Sequence, residues 1–252
     1  MPKIVAFANQ KGGVGKTTTT INICAYVAQH HRTLLVDLDS QANATASLGF
    51  ELGERPSIHE VLVKGVTAAQ AICPTNIPGL SLLPSSSTLV AGELELAPLM
   101  GREFKLRRAF AQLGNDFEYI FIDCPPALSL LTLNAFAAAQ HVIIPVQCEY
   151  LALEGLSELL TTIELVQLNL NPQLELGGII MTMYDHRTSL SRQVVEEVRK
   201  HFPATFKTTV PRNVRVAEAP SHGQSIKEYA PASPAAKAYQ ALANEILAVL
   251  GA

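Results

Sequence analysis

One stretch of this chain has the composition of a phosphate cradle. Lys11-Gly12-Gly13-Val14-Gly15-Lys16-Thr17-Thr18 lies between an apolar run, Lys3–Asn9, and a helical pattern that starts at Thr17. Glycines let the backbone turn its N–H groups onto phosphate oxygens, and a helix N-terminus adds partial positive charge. Lys16 is placed to bridge β- and γ-phosphates, and the Thr17 hydroxyl to ligate Mg²⁺. The strict pattern G-x-x-x-x-G-K-[ST] is not met, because Gln10 stands where its first glycine belongs. An extra lysine, Lys11, follows instead. The plain alternative is a glycine-rich turn with a chance lysine; the strand before it and the helix after it argue for the cradle.

Such a site needs carboxylates as well. Asp123 ends the apolar run Tyr119–Ile122 and is positioned to hold Mg²⁺ through water. Asp37 and Asp39 follow the run Thr33–Val36, and one of them is suited to orient an attacking water. Any single Asp at a strand end can equally be a turn former or a helix cap. Pro125-Pro126 either stiffens a loop beside the γ-phosphate or simply stops the strand.

The elements that must position these groups alternate. Apolar runs at Lys3–Asn9, Thr33–Leu38, Leu80–Pro84, Tyr119–Asp123, His141–Val146, Leu176–Met183 and Phe206–Val210 read as strands. Thr17–His31, Ser57–Lys64, Thr67–Ile72, Arg102–Leu113, Ala152–Leu168, Ser191–His201 and Ala235–Leu250 read as helices. Ile21, Cys24, Ala25 and Ala28 share one face of the first helix. Strands alternating with helices predict an α/β fold: a mostly parallel central sheet with helices on both faces. No internal repeat or long linker divides the chain, so one domain over residues 1–252 is expected.

Composition narrows the field. The chain has 252 residues, 48% apolar and 16% charged, which excludes a disordered chain and supports a sizeable core. No apolar run approaches the roughly 18 residues that span a bilayer, and Ile4–Ala8 is too short for a signal peptide. Cys24, Cys73, Cys124 and Cys148 form no CxxC pair, as expected of reduced cytosolic thiols. The net charge of −3 does not announce a nucleic-acid binder. The charge is uneven, however. Residues 1–180 carry 10 Lys+Arg against 16 Asp+Glu, and residues 181–252 carry 9 against 6. A basic C-terminal part can meet a polyanion, although a small excess is also common on solvated helices.

Five segments together resemble the ParA family of deviant-Walker ATPases, the Soj-like partition type within the P-loop NTPases of SIMIBI-like fold. They are Lys11–Thr18 (KGGVGKTT), Leu35–Thr45 (LVDLDSQANAT), Phe121–Pro126 (FIDCPP), Leu131–Ala135 (LTLNA) and Val210–Gly223 (VPRNVRVAEAPSHG). The loop alone is shared with MinD-like, nitrogenase-reductase-like and scaffold ATPases; the last segment is more specific to partition ATPases.

The resemblance implies weak ATP hydrolysis with Mg²⁺ in a nucleotide sandwich dimer. Lys11 matches the lysine that reaches across to the partner's phosphates, and Gly12 a position where a side chain would obstruct that approach. Gly13, Val14, Gly15, Lys16, Thr17 and Thr18 match the phosphate-binding loop. Asp39 matches the carboxylate that positions the hydrolytic water and, with Thr17 and Asp123, surrounds the metal. Pro211 and Asn213 match the segment around the adenine. The family's ATP dimer binds DNA without sequence preference; Arg187, Arg192 and Arg215 are the candidate contacts, with Arg199 and Lys200 weaker ones. A ParB-type centromere-binding partner accelerates hydrolysis, and the location implied is cytoplasmic and nucleoid-associated.

Two departures lie beside the γ-phosphate region: Ser40 stands where relatives have Pro, and Ala127–Ser129 differs from the usual switch sequence. Two residues precede the first strand, so no N-terminal helix-turn-helix and no operator binding are expected. The last helix has no basic amphipathic tail, which argues against a MinD-like membrane anchor. The rival readings are a same-fold positioner of a protein cargo, a membrane-cycling regulator, an iron–sulfur ATPase, for which Cys124 lacks a partner spacing, and a metabolic kinase.

Overall fold

The computed structural model describes residues 2–51, 53, 55–149 and 152–251. Seven strands form one sheet: β1 (Lys3–Phe7), β2 (Thr33–Asp37), β3 (Cys73–Pro74), β4 (Leu80–Leu83), β5 (Tyr119–Asp123), β6 (His141–Gln147) and β7 (Glu175–Thr182). Their order is β3-β4-β2-β5-β1-β6-β7, and every neighbouring pair is parallel except β3 with β4. The central strands are buried on both faces, which explains why their sequences are unbroken apolar runs rather than alternating ones.

The helices are α1 (Lys16–Val27), α2 (Asn43–Ser47), α3 (Ile58–Val63), α4 (Ala68–Ala71), α5 (Leu89–Leu96), α6 (Lys105–Ala111), α7 (Leu130–Ala138), α8 (Ala152–Asn169), α9 (Ser189–His201), α10 (Val214–Glu218), α11 (Ile226–Tyr229) and α12 (Pro234–Val249). Successive strand residues face opposite layers. Val5, Phe7, Leu35 and Phe121 pack with α1 and α12 on one side; Ile4, Ala6, Val36 and Ile122 pack with α3, α5, α6, α7 and α8 on the other. Register places Asp123 opposite both Phe7 and Asp37, so the ends of β1, β2 and β5 meet at one edge.

The structure corrects several boundaries. Phe206–Val210 is not a strand. It follows β7 only through Phe206 N–H donating to Ile179 O and Val210 N–H donating to Met181 O. The groups a ladder would use are taken elsewhere: the Glu245 carboxylate accepts from the Lys207 and Thr208 N–H, and Arg199 donates to the Phe206 and Lys207 carbonyls. Arg102–Leu113 divides into a 3₁₀ turn, Arg102–Phe104, and α6, where Leu106 N–H donates to Asn134 Oδ1. The first helix stops at Val27, beyond which His30 and His31 N–H share its carbonyl in a tight turn. Helices α2, α5 and α7 form where composition alone had marked none. Gly178, at φ 151° beside an irregularity in the β6–β7 pairing, has the Phe206 ring where a Cβ would sit.

Candidate nucleotide-binding site

The loop between β1 and α1 is held open by its own backbone and by neighbours distant in sequence. Gly13 (φ 75°) and Gly15 (φ 82°) are left-handed, a conformation that disfavours a Cβ. Val14 is buried, and its carbonyl accepts the Thr182 hydroxyl at 2.7 Å, which pins the loop to the end of β7. Asn9 braces the other side: its Oδ1 accepts from Lys11 N–H at 2.9 Å, and its Nδ2 donates to Pro145 O at 2.7 Å. Helix α1 begins without a side-chain cap and without an acidic residue in its first turn. Its first N–H groups and partial positive charge are therefore left for an external anion. Lys16 is buried in that first turn, with Thr17 and Thr18 half-buried beside it.

The carboxylates divide into different roles. Asp123 is completely buried, and neither carboxylate oxygen has a hydrogen-bond partner among the described residues. Burial pushes its pKa up to about 6; the Lys16 charge and the Thr17 and Thr20 hydroxyls pull it partly back, and Asp39 pushes it up again. A buried, unpartnered carboxylate beside a lysine and a threonine hydroxyl is the donor set that fits a hydrated Mg²⁺. Asp39 uses Oδ1 to accept from Gln41 N–H at 2.9 Å, and its other oxygen has no partner among the described residues. Asp37 is fully committed inside the protein. Its Oδ2 accepts the Thr45 N–H at 2.8 Å and the Thr45 hydroxyl at 2.7 Å, and its Oδ1 accepts the Asp39 N–H at 3.2 Å. Burial and the nearby Asp123 raise its pKa to about 7. Asp37 thus anchors α2, and of the two aspartates after β2 only Asp39 retains a free oxygen.

A mostly apolar cavity of about 390 Å³ opens beside the loop, with Gly15, Thr18, Met183, Pro211, Asn213 and Tyr239 among its walls. A purine ring suits such a space. Pro211 and Asn213 line this cavity on a segment held by Val210 N–H donating to Met181 O and Arg212 N–H donating to Tyr184 O. Asn213 Oδ1 is occupied as the cap of α10, accepting from Arg215 N–H at 2.9 Å. Sequence reasoning missed three members of the site: Thr182, Tyr239 and Met183, the last left-handed at φ 52°. A non-glycine residue held there costs of order 1 kcal/mol or more and is a recurrent mark of functional sites.

Lys11 extends from the loop to Glu149, Nζ to Oε2 at 2.7 Å, with both side chains about half exposed (48% and 46%). A Cβ on the next residue, Gly12, would meet nothing within 4 Å. The chain's own packing therefore gives no reason for glycine there.

The basic candidates lie on three segments. Arg187, in the loop before α9, is gripped by Asp185 through two hydrogen bonds of 2.8 and 2.9 Å. Arg215 on α10 donates to Glu218 at 3.0 Å. Arg192 on α9 is exposed, with no partner among the described residues. Arg199 is a structural tie to the segment after α9, and Lys200 lies 3.9 Å from Glu197. Arg212, overlooked between Pro211 and Asn213, is exposed, and its guanidinium has no partner among the described residues.

A parallel sheet with a glycine loop after β1, a helix N-terminus behind it and aspartates ending β2 and β5 defines a P-loop NTPase of deviant loop sequence. Residues 2–176 match the family described as AAA domain, and residues 132–249 match that of 4Fe-4S iron sulfur cluster binding proteins, NifH/frxC family. The chromosome-partitioning ATPase Soj of Thermus thermophilus is 50% identical over 246 residues, 97% of this chain and 95% of that protein. The sporulation initiation inhibitor protein Soj of Bacillus subtilis is 48% identical over 251 residues, 98% and 99% of the two chains. Among solved structures, cobyrinic acid a,c-diamide synthase from Mycobacterium smegmatis with bound ADP and magnesium superposes with TM-score 0.88 at 40% identity, covering 100% of this chain and 96% of that one. The chain belongs to the Soj/ParA family of chromosome-partitioning ATPases. It is an ATPase of that family, and the Mycobacterium smegmatis structures hold ADP or an ATP analogue with magnesium.

The likeness to the NifH family does not bring cluster ligands. Cys148 is the only cysteine within the matched span; it is buried, and burial raises its pKa to about 11. Iron–sulfur ligation needs converging thiolates. No helix among the described residues is long and apolar enough to cross a membrane.

Proposed function

We propose that this ATPase works as an ATP-gated dimer that tethers cargo to DNA. Two chains close face to face over their nucleotides, each Lys11 reaching the partner's phosphates. The observation that carries this reading is the open face of the loop: Gly12 is glycine with nothing of its own chain above it, and Lys11 beside it is half exposed, its ammonium held at 2.7 Å by the equally exposed Glu149. A partner's nucleotide supplies the missing neighbour.

Bound Mg²⁺ would supply positive charge against the negative charge that develops on the phosphates. The Thr17 hydroxyl would hold the ion directly and Asp123 would hold it through water, which would give the buried carboxylate a partner. Lys16 balances phosphate charge, with Gly13, Val14, Gly15 and Thr18 supplying backbone and hydroxyl donors. Asp39 holds the attacking water with its free oxygen. Pro211 and Asn213 enclose the adenine. Turnover is slow until a ParB-type partner completes the site, because phosphoryl transfer depends on positioning and charge stabilisation.

The dimer binds DNA through basic residues of the C-terminal part, with Arg192 the freest of the three candidates and Arg187 and Arg215 each released from an acidic neighbour. Doubling a weak patch gives affinity that one chain of net charge −3 lacks. The whole chain acts as one domain, cytoplasmic and over the nucleoid, serving chromosome or plasmid partition.

The test is binding to a non-specific duplex with ATP, with ADP and with no nucleotide, over a salt series. Binding with ATP alone is expected. If each chain neutralises about three phosphates, the log–log salt slope is roughly −5. Equal binding in all three states would remove the gating, and no binding in any state would remove the tether.

A further inference from the structure

Glu149 has no place in the roles above, yet it holds the residue on which the dimer depends. It follows β6, and the contact to Lys11 joins positions 138 apart in sequence. The backbone under Lys11 is fixed independently by Asn9, which accepts the Lys11 N–H and donates to Pro145 within β6. The base of the Lys11 arm is therefore set, and only the direction of its side chain remains open. Glu149 is the one charged partner Lys11 has among the described residues.

We propose that Glu149 is a positioning residue that latches Lys11 within its own chain until nucleotide on a second chain competes for it. The proposal rests on the reading of Lys11 as a lysine that acts across a dimer. An exposed ion pair is weak, so the latch is one that opens. A nucleoside triphosphate presents several negative charges where Glu149 presents one, and it wins the ammonium when a second chain brings it within reach. The diphosphate has fewer charges to offer and no γ-phosphate, so it competes less well. Once Lys11 leaves, the carboxylate is left uncompensated beside the phosphate loop. Both effects have the same sign: Glu149 opposes closure, and each dimer must open two latches.

The experiment compares the full chain with E149Q, K11A and the double variant in two measurements. The first is sedimentation velocity with a non-hydrolysable ATP analogue and Mg²⁺ at low salt. With exposed pairs worth about 0.2–1 kcal/mol and two of them released per dimer, E149Q should tighten dimerisation roughly two- to thirty-fold. That gain should shrink as salt rises to about 0.5 M. The second measurement is the rate at which an amine-acylating reagent labels Lys11 in the nucleotide-free chain, read by mass spectrometry. E149Q should label faster, because its lysine is no longer held.

Unchanged labelling would show that the latch does not form. Weaker dimerisation by E149Q would show that Glu149 supports closure instead of opposing it. Either result overturns the proposal. Faster labelling of E149Q without dimerisation of any variant keeps the intrachain pair but defeats the dimer reading, as would dimerisation of K11A at the level of the parent chain. The double variant should match K11A, since there is then no lysine to release.

Discussion

Asp123 is a fully buried carboxylate whose oxygens accept no hydrogen bond among the described residues, and that has a measurable cost. Its folded pKa is raised from 3.8 to about 6. A raised carboxylate pKa means that the folded state binds the proton more tightly, so stability is full below about pH 4 and falls as pH rises through 6. Asp37, raised to about 7, acts in the same direction. Asp123→Asn does not titrate. It should match the parent chain in urea melts near pH 4 and exceed it at pH 8 by up to roughly 3 kcal/mol. The same variant should lose Mg²⁺-dependent ATP affinity. A stability difference independent of pH would contradict the assignment of Asp123 as an unpaired buried charge. Asp39→Ala makes the opposite test. It should keep the ATP dimer and lose turnover by roughly 10²-fold or more, as removal of a water-positioning group does; normal turnover in a phosphate-release assay would move that role to another residue.

The elements matter through how they hold these groups. Strand β7 carries Thr182, which pins the loop, and leads into Met183 in the cavity beside the loop. Its placement depends on Gly178, where a Cβ would lie 2.4 Å from the Phe206 ring. Gly178→Ala should destabilise the chain by more than about 2 kcal/mol in a denaturant melt. It should also weaken nucleotide binding, because the loop loses its brace; unchanged affinity would show that β7 does not position it. Helix α2 shows why part of the site was legible in sequence and part was not. The pattern Asp37-x-Asp39 after a strand marked both carboxylates, but an Asp that ends a strand can face a metal or cap a turn. Only the contacts with Thr45 show that Asp37 does the second. Phe206–Val210 has the apolar composition of a strand, and Glu245 and Arg199 divert its backbone. No local pattern reports a competitor for a hydrogen bond that comes from another helix.

At the scale of the whole molecule, the basic C-terminal part is less available than its composition implies. Asp185 grips Arg187 and Glu218 holds Arg215, whereas Arg192 has no partner among the described residues. Fluorescence anisotropy with ATP should therefore rank them. Arg192→Ala should lower the salt slope by about 0.9 per chain. Arg187→Ala should lower it less, since part of its charge is already spent on Asp185. An equal loss for both would mean that DNA displaces Asp185 at no cost.

The phosphate loop, Asp123, the buried strands and the alternation that builds a parallel sheet were all readable from the chain alone. Each depends on residues adjacent in sequence: glycines that allow left-handed turns, a lysine one residue into a helix, an apolar run and the acid that ends it. The tertiary structure alone decided what those groups touch. It brought Thr182 to the Val14 carbonyl across 168 residues and Glu149 to Lys11 across 138, and it left the Asp123 carboxylate without a hydrogen-bond partner among the described residues. Such contacts arise where separate strands end at one sheet edge, and the spacing of residues along a chain carries no record of that meeting.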